Sequence, residues 1–355
     1  MTLTSFTYKE SGWELSSLEP LRSVNLLVGR NATGKSRTVR ALQIVKSFML
    51  MKDYMFGVSS FSTEMLFEED ADWKMQYSFQ IKEGVVEREY MSVCGKELIK
   101  RTKSTAKYNG KKINPPATKL VAQVRRDNDL FPEIEKLMLW AEGILCVSCS
   151  DINPYTVIAT GKVINPFSFC DLVERLSVEE RKRVIANAVN LGYKIGEMKT
   201  IEAGSDMKFV QVKETNVSKK LIDLQLSSGM LRTLYLLCFM EYVKTNKKPS
   251  LLLIDDLGEG LDYGRSTGFG RMIFEECENV GIQLIASSND AFLMDVVDIA
   301  CWQVLRREKS KVTTINQNKC PELFRKFRMT GLSNFDLFSS DFIDKFFIKQ
   351  SQPEQ

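Results

Sequence analysis

Apolar and polar positions follow strand-like and helix-like spacings in turn in the first and last parts of the chain. Residues 23–28 form an apolar run of buried-strand length, and the spacing from residue 36 to about 51 predicts a helix. In the last third, the pattern predicts two helices, each followed by a strand, over residues 229–244, 251–256, 265–279 and 283–287. Helices that alternate with strands in this way are typical of a parallel sheet with flanking helices.

The middle of the chain has two other patterns. Residues 74–79 alternate with a period of two, and turn residues at Gly84, Gly95 and Asn109 predict β-hairpins between 73 and 113. Residues 115–140 and 171–191 have helical spacing, without a heptad pattern beyond about two turns. We therefore expect an antiparallel β layer followed by helices, and no long coiled-coil arm.

These patterns predict an α/β fold with a mixed or parallel sheet core. The expected division is a sheet core from residues 1–60 and 205–310, an antiparallel β layer at 61–114, a helical insertion at 115–204 and a C-terminal tail at 311–355. The tail contains seven phenylalanines between residues 324 and 347 at irregular helical spacing. This spacing favours packing of the tail on its own domain, with docking of a partner as the alternative.

Composition is that of an ordinary soluble protein. The chain has 355 residues, 44% of them hydrophobic, and a formal net charge of +4. Its eight cysteines lack the dense spacing of a secreted disulfide scaffold, which favours a reducing compartment. The first six residues do not resemble an export signal, and no apolar run approaches the ~18 residues of a membrane span. We expect a cytoplasmic protein without a membrane partner.

Histidine is absent from the sequence. This excludes a Ser-His-Asp triad, histidine-ligated metals and a histidine general base, so carboxylates, lysine and serine must carry any chemistry. The pair Cys146 and Cys149 forms a lone CxxC inside an apolar run. A buried strand is favoured over a metal site there, because zinc needs about four ligands and no second pair is present.

A glycine-rich motif follows the first buried strand. Residues 29–36 read GRNATGKS, match G-x-x-x-x-G-K-S, and lie between the predicted strand and the predicted helix. Such a loop turns its backbone N–H groups toward a phosphate, Lys35 would neutralise the β and γ oxygens, and Ser36 would ligate Mg²⁺. The residues expected to contact nucleotide here are Gly29, Arg30, Asn31, Ala32, Thr33, Gly34, Lys35, Ser36 and Arg37. ATP and Mg²⁺ are the expected cofactors.

Two adjacent carboxylates end the predicted strand at 251–256. Ligands bind at the carboxyl ends of strands in open α/β sheets, so Asp255 and Asp256 are candidate site residues. Asp255 would hold Mg²⁺ through water, and Asp256 would orient or deprotonate the attacking water. The alternative, a solvated acidic loop, becomes unfavourable when the phosphate-binding motif is present in the same chain.

The segment that opens the helix at 229–244 resembles a family motif. Leu226-Ser227-Ser228-Gly229 is similar to the signature sequence of ABC-type ATPases, usually L-S-G-G-Q, and stands between the two nucleotide motifs as in that family. The resemblance implies an ABC-type P-loop ATPase fold. It also implies that Ser227, Ser228 and Gly229 of one chain contact ATP bound by a second chain, in a homodimer or a higher even oligomer.

Further motifs extend this resemblance. Residues 257–262 resemble the D-loop of the family, which adds Asp262 to the nucleotide contacts, and Gln123 is the candidate Q-loop glutamine and metal ligand. Asp256 stands where the family usually has glutamate, and Asn289 stands where it usually has histidine. The resemblance therefore gives Lys35, Asp256 and Asn289 as catalytic residues and predicts slow hydrolysis.

Within the ABC class, residues 284–294 are similar to bacterial ATPases of the overcoming-lysogenization-defect type and their relatives in antiphage systems. Those nucleases carry a Toprim domain after the ATPase, and the roughly fifty residues that follow the sheet here are too few for one. The resemblance implies an ATPase that controls or scaffolds a separate effector protein. A RecF-type DNA-repair ATPase is the first alternative, and the nucleotide-binding subunit of a transporter is the second.

A run of basic residues lies between 96 and 126. It contains one acid, Glu97, and ten basic residues: Lys96, Lys100, Arg101, Lys103, Lys107, Lys111, Lys112, Lys119, Arg125 and Arg126. Such a run can bind the phosphates of DNA, or it can be an ordinary solvated face, and the sequence leaves both interpretations open.

Overall fold

Most of the chain forms one large mixed sheet covered by helices. The computed structural model describes residues 1–51, 57–152, 167–203, 207–246 and 248–351. Its strands are β1 (Thr2–Glu10), β2 (Trp13–Leu18), β3 (Val24–Val28), β4 (Phe61–Glu68), β5 (Lys74–Lys82), β6 (Val85–Val93), β7 (Lys96–Thr102), β8 (Ala106–Tyr108), β9 (Lys111–Ile113), β10 (Ile144–Ser148), β11 (Ile195–Ala203), β12 (Met207–Glu214), β13 (Lys220–Ile222), β14 (Leu251–Asp255), β15 (Leu284–Ser287), β16 (Trp302–Glu308) and β17 (Lys311–Ile315).

The helices lie between these strands and at the C-terminal end. They are α1 (Lys35–Met49), α2 (Val121–Val124), α3 (Pro132–Glu142), α4 (Phe169–Arg175), α5 (Val178–Asn190), α6 (Ser228–Thr245), α7 (Tyr263–Val280), α8 (Ala291–Val296), α9 (Pro321–Arg328), α10 (Asn334–Ser339) and α11 (Phe342–Ser351). None of the helices in the described ranges is long and apolar enough to cross a membrane.

The described strands form a sheet of fourteen and a sheet of three. The order in the large sheet is β10-β14-β15-β3-β16-β17-β2-β1-β4-β5-β6-β7-β8-β9, and the small sheet is β11-β12-β13. From β10 to β16 the neighbours are parallel, whereas β4 to β9 form antiparallel hairpins. The sheet is therefore mixed, as the sequence predicts.

The parallel strands are buried on both faces. Every residue of β3, β14 and β15 is buried, because helices cover the sheet on each side. Leu251, Leu253 and Ile285 pack into the cluster that contains α1 and α3, whereas Leu252 and Ile254 pack into the cluster that contains α4 to α8. This alternation fixes the strand register, and because the strands are parallel, their carboxyl ends lie at one edge.

The antiparallel strands use one face for the core. Phe61 and Phe79 face α1, where both rings contact Phe48 at centroid distances of 5.6 Å. The opposite face carries polar side chains, as in Ser62, which lies opposite Gln80. The predicted antiparallel layer therefore continues the parallel part of the sheet instead of forming a separate layer.

Two segments differ from the expected division. The segment 115–204, expected as a helical insertion, also contains β10, which forms the edge of the parallel part beside β14, and β11 of the small sheet. The expected tail begins with β17, which pairs with β16 and β2 inside the large sheet. The pairings of β10 with β14 and of β17 with β2 join residues far apart in sequence, so local patterns did not reveal them. The helices of the tail pack on the core through Leu323, Phe324 and Phe327.

Candidate nucleotide site

The glycine-rich loop joins β3 to α1, and two of its glycines are required by space. A Cβ at Gly29 would lie 2.6 Å from Thr33 Oγ1 and 3.1 Å from the Leu305 carbonyl oxygen. Gly34 has a φ of +109°, and a Cβ there would lie 3.3 Å from the indole nitrogen of Trp13. Close packing against Trp13 and a left-handed backbone therefore both demand glycine at position 34.

Lys35 lies at the centre of this loop. Its side chain is buried, and Nζ donates to the carbonyl oxygens of Gly29 at 2.5 Å and Arg30 at 3.4 Å. Burial lowers the pKa of Lys35, and the carboxylates of Asp256 and Asp255 oppose that shift. The ammonium group is thus close enough to both acids to interact with them across the site.

Asp255 ends β14 and is nearly inaccessible. Its Oδ1 accepts a hydrogen bond from the Ser287 hydroxyl, and Ser36 lines the same cleft as its carboxylate. Burial raises the pKa of Asp255, and the hydrogen bonds from Ser287 and Ser36 oppose this increase. The two expected magnesium ligands, Ser36 and Asp255, are therefore adjacent in the folded chain.

Asp256 follows in a backbone conformation that is uncommon for a residue with a side chain. Its φ is +57°, and its N–H donates to Ser287 Oγ at 3.0 Å. Burial raises the pKa of Asp256 to about 6, with the Asp255 and Glu259 carboxylates adding to the increase and Lys35 and Arg232 opposing it. A carboxylate with this pKa accepts a proton more readily than an exposed aspartate.

A cleft of about 940 Å³ extends from Ser36, Asp255 and Asp256 along α1. Arg37 lines it, held by Glu10 at 2.7 Å and lying 4.9 Å from the ring centroid of Trp13. Ser36, the last residue of the glycine-rich motif, and both acids thus border one cavity.

Three further residues line this cleft and were missed in the sequence: Ser148, Ser150 and Asp151. They lie at or just beyond the end of β10, which pairs with β14 so that Ser148 is opposite Asp255. The Asp151 carboxylate contributes to the raised pKa of Asp255. The sequence does contain a pattern that could have indicated these residues, since β10 is an apolar run that ends in polar residues, as β14 is. The position of β10 beside β14, however, was not predictable from this pattern.

The signature-like segment begins α6 away from this cleft. Ser227 caps the helix by accepting a hydrogen bond from the Met230 N–H at 3.3 Å, and Ser228 is exposed. Gly229 packs tightly, because a Cβ there would lie 2.9 Å from the Gly260 carbonyl oxygen. None of these three residues is among those that line the cleft around Ser36 in the described part of the chain.

Asp262 and Asn289 lie in the loops that follow β14 and β15. Asp262 caps α7 and forms an ion pair with Arg265 at 2.6 Å. Asn289 is exposed just after β15, the strand that separates β14 from β3. Asn289 therefore follows the strand that lies between the acid pair and the phosphate loop. Asp262 is not among the described residues that line the cleft.

Gln123 is not brought to the site. Its amide donates to the Phe48 carbonyl oxygen at 2.5 Å and its Oε1 accepts from the Leu120 N–H at 2.7 Å. Phe48 lies near the end of α1, roughly 18 Å from Ser36 along the helix axis at about 1.5 Å per residue. Gln123 thus lies at the opposite end of α1 from Ser36, because the chain between β9 and α3 passes that end, and its role as a magnesium ligand stays a prediction.

Several basic residues of the 96–126 run have protein partners. Arg101 is buried beside Glu89 and donates to backbone carbonyls, and Arg126 binds Glu135 and Glu142 at 2.6 Å. Lys100 pairs with Glu97 and Lys103 pairs with Glu87. Part of this basic run therefore forms ion pairs and hydrogen bonds within the protein.

No protein-family model and no curated protein matches this sequence. Among solved structures, the chain is similar to an Smc head bound to the C-winged helix domain of ScpA, with 12% identity, a TM-score of 0.54, and coverage of 91% of this chain and 100% of that one. It is also similar to the Smc head domain with an extended coiled coil bound to the C-terminal domain of ScpA from Pyrococcus furiosus, with 11% identity, a TM-score of 0.51, and coverage of 92% and 99%.

These similarities define the class of fold. The chain has the fold of the Smc head domains, and the predicted α/β class with a mixed sheet core and antiparallel strands is confirmed. At 11–12% identity the likeness shows the fold alone.

Proposed function

We propose that this protein binds MgATP at the phosphate loop and hydrolyses it slowly. The observation that carries the proposal is that Ser36, at the start of α1, and Asp255, at the end of β14, line the same cleft. A hydroxyl and a carboxylate are oxygen ligands of the kind that Mg²⁺ prefers. When bound, Mg²⁺ would neutralise charge on the phosphate oxygens.

The other groups of the site fit phosphoryl chemistry. Lys35 is a buried cation that only has to move from the carbonyl oxygens of its own loop to the phosphates of a nucleotide. Asp256 has a raised pKa and lines the same cleft, so it can orient water and accept its proton. Lys35 begins α1, and Asp256 directly follows β14, a strand in which every residue is buried.

Slow turnover follows from two residue types. The Asp256 side chain is one methylene shorter than glutamate, so it reaches less far from the strand end. Asn289 can donate a hydrogen bond to a phosphate but carries no positive charge. The protein therefore remains in its ATP-bound form for longer than one with glutamate and a charged partner at these positions.

The proposed active form is a dimer that encloses two ATP molecules. Ser227 and Ser228 are exposed at the start of α6, a helix of 18 residues whose first N–H groups favour an anion. Within one chain these residues do not line the ATP cleft, so we infer that they meet the phosphates held by a second copy. A homodimer, or a higher even oligomer, satisfies this arrangement.

We further propose that dimer closure controls or scaffolds a separate effector in antiphage defence in the cytoplasm. The support is the resemblance of residues 284–294 to bacterial ATPases of that kind, together with eight cysteines that are all free thiols. Co-purification of the protein with the product of a neighbouring gene, stronger with ATP than with ADP, is the result that this role requires.

The test of the ATPase proposal is a pair of lysine variants on one helix. Lys35 and Lys46 both lie on α1, and both donate to backbone carbonyls at 2.5 Å. Lys35→Ala is expected to abolish ATP binding, because the change removes the buried ammonium group of the phosphate loop. Lys46→Ala is expected to bind ATP normally. Calorimetry that gave a folded Lys35→Ala the wild-type affinity would refute the proposal.

A second candidate, a DNA-binding ATPase of the RecF type, is favoured by one observation. Lys100, Lys107 and Lys112 lie directly opposite one another on β7, β8 and β9, at the edge of the large sheet. Like charges in such cross-strand positions destabilise a sheet, and a polyanion would relieve the repulsion. Lysines at a sheet edge also prevent aggregation, which is the alternative explanation.

Charge reversal separates these explanations. The double variant Lys107→Glu and Lys112→Glu keeps a charged edge, so protection against aggregation should persist while DNA binding is lost. Lys213→Glu with Lys220→Glu is the matched control, because these lysines also lie opposite each other, on β12 and β13. Fluorescence anisotropy with labelled DNA and ATP measures the difference. Equal binding by both double variants would remove this candidate.

A further inference from the structure

Two consecutive serines at the end of β15 are completely buried. Ser287 and Ser288 both have 0% exposure, and each hydroxyl makes two hydrogen bonds. Ser288 Oγ donates to the Leu257 carbonyl oxygen at 2.7 Å and accepts from the Asp290 N–H at 3.0 Å. It therefore joins two loops through backbone groups alone.

Ser287 has different partners. Its hydroxyl donates to Asp255 Oδ1 and accepts from the Asp256 N–H at 3.0 Å. The direction of both bonds is fixed, because an amide N–H cannot accept and an ionised carboxylate cannot donate. One hydroxyl thus contacts the side chain of the first acid and the backbone of the second.

The position of Ser287 explains why this contact is needed. The last paired residues of β14 and β15 are Ile254 and Ala286, and the next backbone hydrogen bond between these segments, from the Leu257 N–H to the Ser287 carbonyl oxygen at 2.8 Å, lies beyond both acids. Successive side chains of a strand point to opposite faces, yet Asp255 and Asp256 line the same cleft because Asp256 adopts a left-handed backbone. That conformation is unfavourable for aspartate unless its surroundings hold it.

We propose that Ser287 is a positioning residue of the hydrolytic site, which directs the Asp255 carboxylate toward magnesium and holds the turn that brings Asp256 to the water. The inference rests on the ATPase function proposed above. Ser287 does not touch the nucleotide. It acts through the two acids, as groups that hydrogen-bond a metal ligand commonly do.

The experiment compares Ser287→Ala with Ser288→Ala. Ser287 and Ser288 are consecutive, and each change removes a buried hydroxyl that makes two hydrogen bonds, so the structural costs of the two changes are matched. Ser287→Ala should lower kcat by about tenfold or more and raise the Mg²⁺ concentration for half-maximal rate by a similar factor, the scale found for groups that support a metal ligand. ATP binding in EDTA should stay within about twofold of wild type, because Lys35 and the loop are unchanged.

Ser288→Ala should leave the Mg²⁺ dependence at the wild-type value. If the two variants have the same kcat and the same Mg²⁺ dependence, Ser287 has no positioning role. Ser287→Thr keeps the hydroxyl and should retain the wild-type Mg²⁺ dependence. This variant tests the positioning role if the alanine variant does not fold. A wild-type protein that binds MgATP but never hydrolyses it would refute the ATPase function instead, and the Mg²⁺ dependence of binding would still test Ser287.

Discussion

Arg30 of the phosphate loop forms an ion pair with Asp341, which directly precedes the last helix, α11. The Arg30 guanidinium lies 3.1 Å from the Asp341 carboxylate and 3.9 Å from that of Asp344. Asp344 also binds Arg306 at 2.9 Å, and Arg307 donates to the Ala32 carbonyl oxygen at 3.0 Å. The C-terminal segment therefore contacts the loop that is proposed to hold ATP.

Neutralising these two tail carboxylates is expected to raise ATP affinity. The double variant Asp341→Asn and Asp344→Asn removes two negative charges beside the phosphate loop and frees Arg30 to attract an anion, so the Kd should fall several-fold. The effect should be larger at low salt, because these charges are exposed and screened by ions. Titration with a fluorescent ATP analogue at two salt concentrations measures it.

The matched control for the tail is Glu322→Gln. Glu322 lies on α9 of the same C-terminal segment and pairs with Lys326 at 2.9 Å, so this variant also removes one exposed ion pair. Its ATP affinity should equal that of wild type. An unchanged Kd in the double variant would show that the tail charges do not influence the phosphate loop.

Hydrolysis is expected to depend on Asp256. Asp256→Asn keeps the shape but removes the charge that orients water, so ATP should still bind while turnover falls by ~10²-fold, the scale of a lost general base. Asp256→Glu should preserve or increase the rate, because the longer side chain reaches farther. Steady-state phosphate release measures both.

The nearby exposed acid Glu259 is the alternative for this role. Glu259→Gln should hydrolyse ATP at a rate close to wild type, because its side chain is half-exposed and outside the cleft. If Asp256→Asn keeps the wild-type rate and Glu259→Gln loses it, the roles of the two acids are reversed.

Stability without nucleotide is expected to depend on pH through Asp256. Its pKa is raised from 3.8 to about 6, so between these values the folded protein binds more protons than the unfolded chain and stability falls as pH rises. Above about pH 6 the carboxyl group is ionised in both states, and this loss of stability is complete. Asp256→Asn should therefore stabilise the protein at pH 7.5, by about 1 kcal/mol once the partly exposed position is discounted for screening.

Urea unfolding of both proteins at pH 7.5 and at pH 4.5 measures this effect. The stabilising effect of Asp256→Asn should shrink toward the lower pH, where the wild-type carboxyl group is largely protonated in the folded state. A difference that is independent of pH would mean that the substitution acts through packing and not through the charge.

ATP-dependent dimerisation is expected to require a small residue at position 228. Ser228 is exposed on the monomer, so Ser228→Arg should fold normally yet block the approach of a second chain to the phosphates. Gly229 is less suitable for this test, because any side chain there would meet the Gly260 carbonyl oxygen of its own chain. Sedimentation velocity measures association of Asp256→Asn with and without the added Ser228→Arg change, each in the presence of ATP and of ADP.

Val178→Arg is the control for this experiment. Val178 is also an exposed first residue of a helix, in α5, and has no place in the proposed interface. It should dimerise with ATP as the parent does. Dimers of Ser228→Arg that form with ATP but not with ADP would contradict the proposed interface.

The local parts of the site were predictable from the sequence. Gly34 and Lys35 sit between an apolar strand and a helix start, and Asp255 and Asp256 end an apolar strand. Backbone geometry and burial at such positions depend on neighbours along the chain. The phosphate loop, the acid pair and the alternation of helix and strand could therefore be inferred without a structure.

Only the tertiary structure determined which distant residues meet. It placed β10 beside β14 and so brought Asp151 to the cleft, gave Ser287 its bond to Asp255, carried Gln123 to the far end of α1, and set Asp341 against Arg30. Hydrophobic patterns show which face of an element is buried, but several strand orders bury the same faces equally well. The packing of the whole chain selects one order, and the contacts between distant residues follow from that choice.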